Sequence, residues 1–502
     1  MSGPCAVLEV QGLTLARGHR RLADNVSFAL PSGRFIELRG PNGSGKTTLL
    51  RALARAPSAA REPIHWRVAS RGFYFGHGSG FRPEIVVRTQ LAVSLALYGA
   101  AANAARDQAL LERFGLSRQA NLTVRQLSQG QLRRLMLAVM CASGRKLWLI
   151  DEPLNALDGA AIALLQTILL EHFAQGGAVL VATHRTFEQA LPALDPYCAG
   201  VLLLEAGRSR WQSTQETTAQ SPLQSAAQST QGTTAQSALQ STPQSTDPSG
   251  APSFDATTDA SPAGRSPTET GLQPQPVPIE ENPRSNWQQL RWTLNRERVL
   301  ALARPQDLAW PSVFHWMVVT LFPFALGSDP MLLERAAGGI FWISALLASL
   351  MGAARLFEAD FEHGVLADCQ HAGLSLAWLV FGKILAGCLL IGLPLGLASI
   401  PLGLLFGVRD GGLWILGGSL CLGTVSLIAG SCLFATLGLM ARQAQLVICL
   451  LAIPIFVPLL IFGTAVLTGD AIAPVLTLAS LALLALLSVP PIAARVLTLA
   501  LE

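Results

Sequence analysis

The chain has 502 residues, half of them hydrophobic and only 14% charged, with a net charge of +4. This length excludes one ordinary domain and points to roughly two or three units. The charge deficit, set against about 25% in a soluble domain, falls almost wholly after Ala309, and so small a net charge argues against a nucleic-acid partner. The eight cysteines form no CxxC, CxxCH or zinc-like pair, and five lie beyond residue 365 in apolar surroundings, so they read as small packing residues.

The N-terminal "MSGPCAVLEV" lacks a basic-then-apolar leader, so the first domain is expected to stay in the cytosol. Through residue 211, apolar strands alternate with amphipathic helices: "RFIELRG", "TTLLRALARA", "KLWLID", "AIALLQTILLEHFA" and "GAVLVATH". That alternation predicts a parallel sheet covered on both faces. Between the first strand and helix stands "GPNGSGKTT", that is Gly40, Pro41, Asn42, Gly43, Ser44, Gly45, Lys46, Thr47 and Thr48. It fits G-x-x-x-x-G-K-[ST] in the context the motif needs. Glycines let the backbone N–H groups curve around phosphate oxygens of ATP, and the helix N-terminus adds positive potential. Lys46 is expected on the β- and γ-phosphates and Thr47 on Mg²⁺.

"LSQGQLRRL", Leu127–Leu135, is a second polar, Gly-centred turn opening a helix, far from that loop. In "LWLIDEP", Asp151 ends a buried strand where its carboxylate can hold Mg²⁺. Glu152 beside it is placed to orient or deprotonate the attacking water. His184 closes "VLVATH" at the edge of a parallel sheet where ligands bind, and is expected to contact the γ-phosphate.

From Gln212 the composition changes. "QSTQETTAQSPLQSAA" is nearly repeated at Gln228, and "QST" returns at Gln244. Without aromatic residues, Gln, Ser, Thr, Pro and Ala bury too little surface to offset chain entropy, so residues 212–284 read as a disordered tether. Roughly 70 flexible residues span about 45–50 Å r.m.s.. Beyond it, charge-free intervals run 308–328, 336–354, 384–408, 411–441, 443–469 and 471–494, each near the roughly 20 residues needed to cross hydrocarbon. Residues 285–502 are therefore expected to form six membrane helices. Arg284, Arg291, Arg296, Arg298 and Arg304 precede the first span and should stay cytosolic, which puts both termini inside. The segment "RLFEADFEHGVLADCQHAG", with Glu358, Asp360, Glu362 and Asp368, is expected in the cytosol as a short amphipathic helix docking on the first domain. Lys383 is expected to snorkel to the interface. His315, His363 and His371 have no partner at ligand spacing, and for His315 packing or a capping hydrogen bond is favoured over haem ligation.

The phosphate loop, "LSQGQ", "LIDEP", "NALD" (Asn155–Asp158) and the strand-ending histidine stand in an order that resembles the ABC transporter ATPase. The resemblance covers about residues 1–211. It implies an α/β P-loop NTPase domain plus an all-α six-helix transmembrane domain. It also implies that Ser128, Gln129, Gly130 and Gln131 close over the ATP of a second subunit, with Asp158 in the D-loop, so that two chains pair through their ATPase domains as a homodimer. Arg17 falls where the family stacks an aromatic residue on adenine, a role open to a guanidinium. Gly78 stands where a glutamine usually links the γ-phosphate to the membrane partner, and Gln90 is too far downstream to replace it, so coupling is expected to be altered. "LEVQGLTLARGHRRL" and "FYFGHGSG" look like the CcmA ATPase of cytochrome c maturation. The stretch from "LFPFALGSDP" to "GVLADC" resembles the CcmB permease. This implies a bacterial inner-membrane protein among membrane lipid, with its ATPase domain cytoplasmic. It would act with a haem-handling membrane subunit and a periplasmic haem chaperone, in haem export or in release of the loaded chaperone. An exporter of lipid, polysaccharide or drug, or an ATP-gated regulator that transports nothing, remains open on the sequence.

Overall fold

The computed structural model describes residues 6–17, 20–55, 66–68, 71–76, 78, 80–155, 157–183, 187–205, 207–213, 285–327, 329–408, 410–440, 445–467 and 471–501. From residue 214 the stretch read as a tether lies outside the described residues, as does His184. Gln212 and Ser213 end a strand.

The N-terminal part is a nine-stranded sheet in the order β4-β1-β2-β9-β8-β3-β7-β6-β5. Its strands are β1 (Ala6–Arg17), β2 (Arg20–Pro31), β3 (Phe35–Arg39), β4 (Trp66–Val68), β5 (Gly72–Phe75), β6 (Leu147–Asp151), β7 (Ala178–Ala182), β8 (Cys198–Glu205) and β9 (Gly207–Ser213). Strands β8, β3, β7, β6 and β5 pair in parallel. β6 and β7 are buried at every residue, as strands covered on both faces must be. Alternate side chains feed two cores. Phe35, Trp148, Ile150 and Val179 join one with helices α2 (Val87–Leu97), α3 (Ala104–Arg113), α4 (Gln129–Ala142) and α5 (Gly159–Ala174). Ile36, Leu147, Leu149 and Leu180 join the other with α1 (Lys46–Ala54).

The sheet is not wholly parallel, which corrects the sequence reading. β1 pairs antiparallel with β2 and β4, and β8 antiparallel with β9. β1 runs into β2 with no helix between them, and parallel neighbours need a crossover. The register sets Val10 against Phe28 and Leu13 against Val26. Phe28 and Val26 keep the every-second-residue spacing of a strand with one face in the core, while β1 takes one extra residue between Val10 and Leu13.

The C-terminal part begins with a helix that the reading in terms of spans did not separate, α6 (Asn286–Ala303). Ser285 and Gln288 close its start by exchanging side-chain and backbone hydrogen bonds of 3.2 and 3.3 Å. There follow α7 (Pro305–Leu326), α8 (Pro330–Glu362), the short α9 (Val365–His371), α10 (Leu376–Gly387) running through a π turn into α11 (Leu393–Leu404), α12 (Asp410–Met440), α13 (Gln445–Ala465) and α14 (Ile472–Leu501). Among the described residues five helices are long and apolar enough to cross a membrane: Pro305–Leu326, Pro330–Glu362, Leu376–Leu404, Gly411–Met440 and Ile472–Leu501. The remaining expected span coincides with the 21-residue α13. Trp342 and Phe341 centre the bundle core, while Phe324, Trp414 and Leu487 point outward, the pattern of a helix bundle solvated by lipid.

Candidate nucleotide site and its joint to the membrane helices

The Gly40–Thr48 loop joins β3 to α1. Gly45, at φ 103°, caps α1 in a backbone conformation that a side chain would strain, with no side-chain cap and no acid in the first turn. The N–H groups at this helix end are therefore unopposed, a ready site for anionic oxygens. Lys46 is buried and donates to the carbonyls of Gly40 (2.7 Å) and Pro41 (3.1 Å). Burial pushes its ammonium pKa down, against the opposing pull of Glu152 and Asp151. The Ser44 hydroxyl is buried in the loop with no hydrogen-bond partner among the described residues. An orphaned donor beside a lysine and a free helix end fits a phosphate chain.

The Thr47 hydroxyl donates to Asp151 Oδ2 at 2.8 Å. Two oxygen donors from loop and strand thus meet, a pair that suits a hard divalent cation such as Mg²⁺. Glu152 follows in the left-handed region, at φ 50°, its amide donating to Ala182 O at 2.8 Å. Its carboxylate accepts from Asn155 Nδ2. Backbone strain of this kind at a non-glycine residue is held only by its surroundings and gathers at working sites.

Ser128 and Gln131 bond each other's backbone N–H groups at 3.0 and 3.2 Å, so the turn is a capping box opening α4. Ser128 and Gln129 are exposed and Gly130 half-buried. Among the described residues no hydrogen bond ties the turn to the Gly40–Thr48 loop. Asp158 caps α5 through Ala161 N (2.8 Å) and pairs with Arg134 of α4 (2.7 Å), tying the D-loop to the helix behind the turn. Pro41, Asn42 and Gly43 are exposed, Thr48 lies in the first turn of α1, and Arg17 is the last residue of β1.

On the other side of the same sheet edge, α9 packs against the ATPase part. Leu366 and Cys369 are buried in one core with Phe73, Phe81 and Met136. A Cβ at Gly78 would come 3.8 Å from His363 O, so the position lacking the expected glutamine faces the membrane part. Gly80, at φ 61°, donates to the same carbonyl at 3.1 Å, and its missing Cβ leaves the place taken by the Asp368 carboxylate. Burial pushes that carboxyl up to about 7. Trp292 of α6 donates to Val93 O at 3.2 Å, and Arg55 to Leu501 O at 2.7 Å.

A buried ion cluster completes the joint. Asp360, fully buried at the end of α8, pairs with Arg82 of the ATPase part (2.7 Å), Arg296 of α6 (2.5 Å) and Lys383 of α10 (2.7 Å). Glu297 meets Lys383 and Arg296, both at 2.9 Å. Arg82 also meets Glu84 at 3.1 Å, and Glu84 meets Arg304 at 3.0 Å. For Arg296, burial pulls the pKa down, but Asp360 and Glu297 outweigh it and hold the guanidinium above its ordinary value. Gln90 accepts from Arg82 N at 3.1 Å and thereby braces the loop that carries this pair.

Two expectations change here. Lys383 does not snorkel; it is 1% exposed because two carboxylates and Leu356 O fill its donors inside the protein. Asp360, expected on the short docking helix, lies instead at the end of α8 and is the hub of the joint. The signal was present in the sequence: a lysine within an apolar span and the Arg296–Glu297 doublet both demand buried partners. Spacing names no partner across nearly three hundred residues. His315 is buried, with Nδ1 at 2.8 Å from Ser344 Oγ, the hydrogen-bonded packing favoured for it.

A P-loop sheet with its acidic strand end, seated on membrane-length helices by a short helix between two of them, is the layout of an ABC-type ATPase with a permease. Residues 23–155 match the family model described as "ABC transporter", and residues 289–501 the one described as "CcmB protein". The "Cytochrome c biogenesis ATP-binding export protein CcmA" of Nitrosospira multiformis is 38% identical over 197 residues, covering 37% of this chain and 96% of that protein. "CcmA 2" of Cupriavidus metallidurans is 37% identical over 198 residues, 38% of this chain and 92% of that protein. A solved structure described as "Structure of ATP binding subunit of ABC transporter" is 23% identical, with a TM-score of 0.37, over 43% of this chain and 92% of that one. The chain belongs to the CcmA family of cytochrome c biogenesis ATPases and carries a CcmB permease fused to it in one polypeptide. It is an ATP hydrolase coupled to a membrane transporter.

Proposed function

We propose that two copies of this chain form a homodimeric motor of cytochrome c maturation in the bacterial inner membrane. The observation that carries the reading is the convergence on one short strand pair of a Thr47–Asp151 contact of 2.8 Å and the permease helix α9. Residues 1–213, with the last two ending β9, form the ATPase domain, 214–284 the tether and 285–502 the six-span permease. The ATPase domain and both termini face the cytoplasm; the bond between Arg55 and Leu501 O supports one side for both. ATP is held by Gly40–Thr48, with Lys46 on its β- and γ-phosphates and Arg17 against adenine. Thr47 and Asp151 would hold Mg²⁺, which would supply positive charge to the phosphate oxygens. Glu152 accepts the proton of the attacking water, and His184 contacts the γ-phosphate. Ser128, Gln129, Gly130 and Gln131 reach the other copy's ATP, with Asp158 beside them.

Hydrolysis moves α9 and with it the bundle, so that a haem-handling membrane subunit and a periplasmic haem chaperone are served, by haem export or by release of the loaded chaperone. Printed names of the relatives, which join cytochrome c biogenesis to export, support this reading. Deleting the gene and scoring covalent haem on periplasmic c-type cytochromes tests it. Attachment should be lost and restored by the wild-type chain but not by the Glu152→Gln chain; normal attachment in the deletion strain overturns it.

A further inference from the structure

The ion cluster at Asp360 anchors the permease, but the side chain and amide of Arg82 bond only Asp360, Glu84 and Gln90 among the described residues. None of these belongs to the nucleotide loop. A second, smaller contact does reach the site. Tyr74 lies on β5, beside β6 in parallel register, with Tyr74 opposite Leu149. Its hydroxyl is 3.4 Å from Asp151 Oδ2, the oxygen that also accepts from Thr47, and 3.4 Å from Arg51 Nε. Its ring lies over Gly76, where a Cβ would meet Tyr74 Cε1 at 2.5 Å, so the glycine is what leaves the ring its place. The ring also meets His371, the last residue of α9, edge to face, with centroids 5.3 Å apart and planes at 68°. His371 is 4% exposed and its Nδ1 has no hydrogen-bond partner among the described residues. The aromatic contact with Tyr74 therefore does much to fix the imidazole.

One rigid side chain with two rotatable bonds thus spans from the Asp151 carboxylate to the permease. We propose that Tyr74 is a positioning residue that couples the placement of Asp151 to that of His371, so that the permease helix and the metal-binding carboxylate sense each other through it. The inference rests on the reading of Asp151 given above. A coupling of this kind is reciprocal: what α9 does to Asp151, occupation of Asp151 does to α9. Edge-to-face ring pairs are directional, so a small rotation of α9 is passed on as a shift of the phenol.

The test uses the full chain in lipid nanodiscs. It contains three tyrosines, Tyr74, Tyr98 and Tyr197, so 3-fluorotyrosine labelling gives three ¹⁹F signals, and Tyr74→Phe assigns one of them. In protein free of nucleotide and magnesium, His371→Leu should move the Tyr74 signal. The same variant should raise the magnesium concentration for half-maximal ATPase about threefold and lower kcat about fivefold, with KM for ATP within about twofold. Tyr74→Phe should give the same kinetic pattern, and the double variant should be no worse than either single one, because residues acting as a unit are not additive. His371→Phe, which keeps an aromatic edge, should restore most of the rate. An unmoved Tyr74 signal, an unchanged magnesium dependence, or losses that multiply in the double variant would overturn the relay. If instead Glu152→Gln hydrolysed ATP normally, the reading of the site itself would fall, whatever the ¹⁹F signal did.

Discussion

The nucleotide loop and the joint to the permease differ in how they satisfy their polar groups. Around Gly40–Thr48, the Ser44 hydroxyl has no partner among the described residues, the N-terminus of α1 has no side-chain cap and Pro41, Asn42 and Gly43 face solvent. Around Asp360 the opposite holds: five charged side chains, two acids and three bases, meet at 2.5–2.9 Å with almost no exposure. The first region is built to be completed by something that comes and goes. The second is complete within one chain, as suits a connection that must carry force without opening to water. The Ser128–Gln131 turn belongs with the first region, since Ser128 and Gln129 are exposed and its capping bonds among the described residues are its own.

Four substitutions sharpen that contrast. The largest effect is expected in the open region: Glu152→Gln should slow ATP hydrolysis about a hundredfold or more and trap a nucleotide-bound dimer, read by phosphate release and gel filtration. Next, Asp360→Asn leaves three buried cations facing one carboxylate and should cost about 3–5 kcal/mol, measured by unfolding in detergent. A cost under about 1 kcal/mol would mean that the cluster is solvated like a surface pair.

Asp368 should set a pH dependence. Its carboxyl, pushed up by burial to about 7, keeps its proton in the folded chain where an ordinary aspartate has lost it. The stabilisation is full at acid pH, falls as pH rises toward about 7 and is flat above. Asp368→Asn should flatten the melting temperature between pH 5 and 8; the same slope in the variant would assign it to another group. The smallest effect is expected for Arg113→Ala. Its pair with Glu171, at 2.6 Å, lies on the surface, and its loss should cost under about 1 kcal/mol by thermal unfolding.

The same contrast explains what the sequence could reveal. Lys46, Thr47, Asp151 and Glu152 sit in short contiguous motifs, because a loop around phosphate and a strand ending in acids need neighbours in sequence. Their meeting in space, Thr47 on Asp151, follows from parallel strands whose ends align. The buried strands β6 and β7 were legible for the same reason: short runs of four and five apolar residues between turns are what a strand covered on both faces requires. The antiparallel arm was missed because a hairpin's alternation is diluted by irregular register between Val10 and Leu13. The docking of the segment after α8 was legible, but the ion cluster beside it was missed because Arg82, Arg296, Asp360 and Lys383 come from four separate segments, and charge pairing carries no spacing rule across them. Tyr74 was invisible for a similar reason: a tyrosine on a buried strand reads as core until its hydroxyl is seen near Asp151.

If the loop is open because a second copy completes it, mixed pairs of this chain decide the matter most directly. One partner carries Ser128→Arg and the other Lys46→Ala; each homodimer should be inactive, and purified mixed dimers should regain about half the wild-type ATPase rate from their single intact pocket. Verified mixed dimers without turnover, or full activity in isolated single copies, would contradict the account.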